Sequence, residues 1–158
     1  MNYVQNLAAD VLGISTPEVG LVPAGAVPVL WERVVEILQD KGQKWLKVVD
    51  ENDIYRLLVS GQADLWCAMH NGTLDGVMIC MMERHARASY YHVCFIGGKH
   101  FDKYIARGLE RLEKYACIMG AAEIVLEGRK GLARKLRPYG YFTNTIRLRK
   151  PVNVLWRN

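Results

Sequence analysis

Gly97 and Gly98, followed by Lys99 and His100 and then by an amphipathic run from Phe101, have the residue types of a phosphate-binding turn. Paired glycines let successive backbone N–H groups point at one anion, and the positive end of a following helix adds to the attraction. The same Gly-Gly ahead of a helix is also an ordinary turn. The other reactive side chains are scattered. Cys67, Cys80, Cys94 and Cys117 fall singly on expected strands and a helix, with no C-x-x-C pair, which reads as buried free thiols and no metal site. His70, His85, His92 and His100 are not paired at ligand spacing either.

The elements that must hold these residues follow from periodicity. Val27, Leu30, Val34, Ile37 and Leu38 repeat at three- and four-residue spacing, predicting a helix from about Pro28 to Asp40. A second helix is expected after Asp50, whose carboxylate can cap the free amides, ending at Gly61. Asn71-Gly72 between two apolar runs predicts an antiparallel hairpin of Ala63–Met69 and Leu74–Glu83. RHARA (84–88) then leads to a third antiparallel strand, Ser89–Ile96, broken off by Gly97-Gly98. Near-continuous apolar residues in VMICMM and VCFI require cover on both faces.

A long helix over about Phe101–Met119 carries Phe101, Tyr104, Ile105, Gly108, Leu109, Leu112, Tyr115, Ala116 and Met119 on one stripe. It leads to a strand at Glu123–Leu126, and a crossover of this length implies parallel pairing. A short helix (Leu132–Leu136) and a last strand (about Tyr141–Leu148) complete the order αα-βββ-α-β-α-β, an α/β fold with a mixed sheet. Residues 1–26 contain one helical stretch (Tyr3–Leu12) and then a segment in which Gly13, Pro17, Gly20, Pro23 and Gly25 recur too often for a regular element. They read as an N-terminal arm or linker, residues 27–149 as the domain and 150–158 as a C-terminal tail. The apolar residues of both ends, Trp156 among them, suit docking on the domain or on a partner.

The 158 residues suffice for one domain, and no apolar run approaches the ~20 residues of a membrane helix. No basic residue precedes the first apolar positions, which argues against a secretory signal and for a soluble intracellular protein. Residues 1–127 hold 12 Lys/Arg and 16 Asp/Glu, whereas residues 128–158 hold 9 Lys/Arg and no acid. That basic strip is either a solvated face or a contact, over about 128–150, for an acidic partner or nucleic acid.

The element order from Val27 to Arg149 resembles the GNAT (N-acetyltransferase-like) superfamily. DLWCAMHNGTLDGVMICMM looks like its paired second and third strands, and EIVLEGRKGLARKLRPYGY like its fifth strand, short helix and Gly-aromatic pair. The resemblance implies that Ile96, Gly97, Gly98, Lys99, His100 and Phe101 form a shortened pyrophosphate loop for acetyl-CoA. It also implies Glu83 as the carboxylate base and Tyr139 as the phenolic acid, although Arg137 holds the family's tyrosine position counted from Ala133.

A narrower resemblance, in DIYRLLVSGQADLW, the Gly-Gly and EGRKGLARKLRPYGY, is to small GNAT-like proteins of tailed bacteriophages, some of them internal or tail-associated virion proteins. It implies a catalytically degenerate GNAT-like protein that needs no cofactor. Such a protein would be a virion or assembly component in the host cytoplasm and the virion, meeting other virion proteins or further copies of itself through residues 1–26 and 150–158. The alternative it leaves open is an acetyl-CoA-dependent N-acetyltransferase acting on an amine.

Overall fold

The computed structural model describes residues 18–128, 130–144, 148 and 150, in two units, 1–127 and 128–158. The first unit is built on a five-stranded sheet in the order β1 (Glu18–Val22), β2 (Asp64–His70), β3 (Thr73–Arg84), β4 (Ser89–Gly98) and β5 (Glu123–Leu126). The first four strands are antiparallel neighbours, and β4 pairs with β5 in parallel. Helices α1 (Val27–Lys41), α2 (Gln43–Leu46) and α3 (Glu51–Val59) lie between β1 and β2, and α4 (Phe101–Ile118) makes the crossover from β4 to β5.

The sequence patterns account for most of this. In α3 the Asp50 carboxylate accepts the Asn52 N–H at 2.7 Å, satisfying one donor that the first helical turn leaves open. Asp50→Ala is expected to lower stability by about 1 kcal/mol, measured by urea unfolding. Asn71 and Gly72 take the positive φ values, 50° and 72°, that a two-residue turn between β2 and β3 needs. Both sheet faces are covered. On one, Leu30, Val34 and Leu38 of α1 and Ile54 and Leu58 of α3 pack on Leu65, Cys67, Val77, Ile79 and Phe95. On the other, Tyr104, Leu112 and Ala116 of α4 pack on Trp66, Met78, Cys80, Tyr91 and Val93. Tyr91 places its hydroxyl inside this second layer, where it accepts from Trp66 Nε1 at 3.0 Å and donates to Asp64 Oδ2 at 2.7 Å. The Trp66, Tyr91 and Asp64 polar atoms that meet there are therefore paired, whereas His70 Nδ1 at the end of β2 is buried without a hydrogen-bond partner among the described residues.

Four features depart from the sequence reading. Residues 18–22, read as part of an irregular arm, form β1, whose Val19 and Val22 are buried. The Gly and Pro residues at positions 17, 20, 23 and 25 bracket and punctuate a short edge strand, where a missing side chain or donor is tolerated. The four-residue helix α2 carries too short a pattern to stand out in the sequence. The Gly97-Gly98 pair does not end β4; both residues belong to it. In place of the start of a last strand, residues 141–144 have no regular structure; residues 145–147 lie outside the described set, as do residues 1–17 and 151–158 of the expected arm and tail.

The second unit contains α5 (Lys130–Leu136), a 3-10 turn at Arg137–Tyr139, and Gly140 in the left-handed region. No helix among the described residues is long and apolar enough to cross a membrane.

Candidate functional site

Two clusters of polar side chains lie at opposite ends of β3, around Asp75 and around Glu83. The first surrounds the passage from β4 into α4. Gly97 pairs with Val77 and Gly98 with Gly76, so the turn itself is only Lys99 and His100. Lys99 N–H donates to the Asp75 carbonyl at 2.8 Å. The Asp75 carboxylate, 9% exposed, holds His100 Nδ1 at 2.9 Å and accepts from the Tyr104 hydroxyl at 2.9 Å. Burial, followed by this hydrogen bond and the charge of Asp75, pushes the Tyr104 phenol well above its ordinary value, so it stays a donor.

His100 itself sits at φ 58°, the left-handed region, ahead of the helix. Gly98 has φ +136°, and a Cβ there would lie 2.3 Å from the Asp75 carbonyl oxygen and 2.4 Å from Gly76 Cα. The absence of a side chain is thus demanded by the close approach of β3. Of the six residues expected to form a phosphate loop, Ile96, Gly97 and Gly98 are strand, Lys99 and His100 are turn, and Phe101 opens the helix. A cleft of about 120 Å³ alongside has Arg33, Lys41, Asp75, Gly98 and Lys99 among its walls.

The second cluster lies where β4 and β5 part. Their parallel pairing covers Tyr90–Val93 against Glu123–Leu126 and goes no further, while β4 continues for five more residues to Gly98. The register against β3 slips by one at the same place, since Ile79 faces Phe95 but Cys80 faces Val93. The extra residue, Cys94, is a bulge that bends β4 away from its neighbour. One residue before the last β4–β5 pair, His92 Nδ1 lies 2.7 Å from Glu83 Oε1, and His85 Nε2 lies 4.0 Å from Glu83 Oε2. The Cys94 thiol is pushed up to about 11 by burial first and then by the charges of Glu83 and Glu127, so it stays protonated at neutral pH.

The fold thus brings Glu83 to His92 and His85, but Tyr139 belongs to the second unit, in its 3-10 turn and 41% exposed. Among the described residues no group of three His, Cys, Asp or Glu could hold a metal ion. Two features carry more than their sequence context suggests. Asp75 is a lone charge in the apolar run LDGVMICMM, a pattern that signals a buried carboxylate with dedicated partners. The Glu83–His92 contact is diagonal across the hairpin that Arg84 and Ser89 close, and it emerges only once that register is known.

No protein-family profile and no curated sequence matches this chain. Solved structures do match. An aminoglycoside acetyltransferase from an uncultured soil metagenomic sample aligns at a TM-score of 0.66 and 15% identity over 88% of this chain and 100% of its own. Glucosamine-6-phosphate N-acetyltransferase from Arabidopsis thaliana aligns at 0.63 and 14% over 88% and 100%. A GNAT family acetyltransferase from Staphylococcus aureus aligns at 0.60 and 16% over 85% and 97%. At such identities the likeness is one of fold alone, and that fold, a mixed sheet with a long crossover helix on one face and a helical pair on the other, is the fold of the GNAT acetyltransferases.

Proposed function

We propose that this protein is an acetyl-CoA-dependent N-acetyltransferase acting on an amine. The observation that carries the reading is the fork between β4 and β5. Beyond Val93 the β4 edge that faced β5 has no strand partner among the described residues, so its backbone donors and acceptors are available to an added strand-like ligand. The pantetheine arm of acetyl-CoA is an extended chain with two amides and fits such an edge. Bound there, acetyl-CoA would supply an acetyl group activated as a thioester.

The chain's own part is to hold and orient. The Cys94–Ile96 edge would align the arm, and the Lys99 and His100 side chains at the end of β4 would face the diphosphate with cationic or hydrogen-bonding groups. The Gly97-Gly98 pair lies within β4, opposite Val77 and Gly76, so its share of the expected phosphate loop would come from the strand end. A protonated Cys94 makes an acyl-cysteine relay a poor route, which favours direct transfer to the acceptor. The acetyltransferase neighbours support this reading over a purely structural one, and none of those named above is a bacteriophage or virion protein.

Titration with acetyl-CoA followed by thermal unfolding tests it. Mass action at about 100 times the dissociation constant stabilises a fold by about 2.7 kcal/mol, so the midpoint should rise by several degrees. No shift at millimolar acetyl-CoA would rule the reading out.

A further inference from the structure

We infer that His92 is the base that takes the acceptor's proton and that Glu83 is the residue that positions it, a conclusion that rests on the acetyl-transfer reading above. The argument begins with the hydrogen bond. An ionised carboxylate only accepts, so a neutral His92 facing Glu83 Oε1 at 2.7 Å through Nδ1 must carry its proton on Nδ1. That leaves the Nε2 lone pair as the proton acceptor. The imidazole is 22% exposed and the Glu83 side chain 44%, so the pair is reachable from solvent while the ring is held by its surroundings.

Its position in the fold is the second argument. Tyr91 and Val93 point into the α4 layer, so strand alternation puts His92 on the opposite face, together with Met81 across β3. His92 pairs with Val125, one step before the last rung of the β4–β5 ladder at Val93 and Leu126. A ligand laid along the free edge of β4 would therefore end its chain beside this ring.

The second oxygen of Glu83 faces His85, which reaches it from the β3–β4 turn. Glu83 is thus held from two sides and can fix the orientation of His92. In the transfer, His92 Nε2 takes one proton from the ammonium, freeing the lone pair with which the nitrogen bonds to the acetyl carbon. The carbon–sulfur bond breaks with its electron pair leaving on sulfur, the thiolate takes the second proton from the nitrogen, and His92 releases the first to solvent.

The test compares two acceptors. Ethanolamine is an ammonium at neutral pH and must lose a proton before or as it attacks. Hydroxylamine is already neutral there and depends far less on a base. His92→Ala is expected to lower kcat for acetyl transfer to ethanolamine on the order of 100-fold, with much less effect on hydroxylamine, and added imidazole should restore part of the loss. Glu83→Gln is expected to give at least about a tenfold loss with the same selectivity for ethanolamine, because an amide can donate to Nδ1 and favour the wrong tautomer. Acetyl-CoA affinity, measured by calorimetry, should stay within about twofold in both variants, since neither side chain lies on the free edge.

Failure of the unaltered protein to bind acetyl-CoA would overturn the transferase reading and this assignment with it. Binding with no transfer to either acceptor would overturn both as well. His92→Ala losses equal for both acceptors, or no loss at all, would overturn the assignment alone.

Discussion

Raising the pH from neutrality to about 10 is expected to remove roughly 3 kcal/mol of folding stability. The cause is a set of acids that the fold keeps protonated. Burial pushes the thiols of Cys67 and Cys80 far above their ordinary value of 9.0, and both are fully buried between the sheet and its helices. In the unfolded chain these protons leave near the ordinary value. A group whose pKa is higher in the folded state contributes stability that is fully present below the unfolded value and is lost as pH climbs toward the folded one. Each buried thiol thus costs about 1.4 kcal/mol per pH unit above 9.

Cys94, half-buried and pushed up to about 11, adds a smaller share. The phenols of Tyr91, Tyr104 and Tyr115, all raised first by burial, steepen the loss beyond about pH 10. Urea unfolding at pH values between about 7 and 10.5 should show an unchanged slope and a falling midpoint. A flat midpoint across that range would mean that these thiols are solvated in the native state.

Gly98→Ala is the other large effect, with an expected loss of at least about 3 kcal/mol. Its Cβ would fall 2.3 Å from one backbone atom of β3 and 2.4 Å from another, and neither can rotate away as a side chain would. The φ of +136° adds strain for any L side chain. Gly72 is the control, because it also has positive φ (+72°) but nothing lies within 4 Å of its Cβ position. Gly72→Ala should therefore cost only about 1–2 kcal/mol, the conformational part alone. Parallel urea curves for the two variants measure the difference, and equal losses would show that the close approach of β3 and β4 at Gly98 relaxes freely.

Local rules were enough to read α1, α3, α4, the β2–β3 hairpin and the parallel crossover, because each rests on short-range periodicity, a cap or a two-residue turn. β1 was hidden because its five residues gain a partner 47 or so positions away, and no local signal reports such a pairing. The end of β4 is hidden at Gly97-Gly98 for a related reason: a glycine required by a neighbouring strand looks the same in sequence as a glycine required by a turn. At the site, Glu83 and His92 were visible as separate residues. Their contact depends on a hairpin register, and its place beside a fork depends on where β5 stops.

β1 also bears on the order in which the molecule is assembled. Val19 packs against α4 at Gly108, where an added Cβ would lie 3.6 Å from it in ordinary contact, and Arg107 and Arg111 clasp Glu18 from the same helix. Joining β1 to β2 closes a loop that contains α1, α2 and α3, whereas β2, β3 and β4 are linked by short turns. Loop-closure entropy therefore makes the meander the cheaper nucleus and the edge strand the later arrival. The face of α4 that carries Arg107 and Arg111 is the receptor for that final step, a folding latch that closes on Glu18.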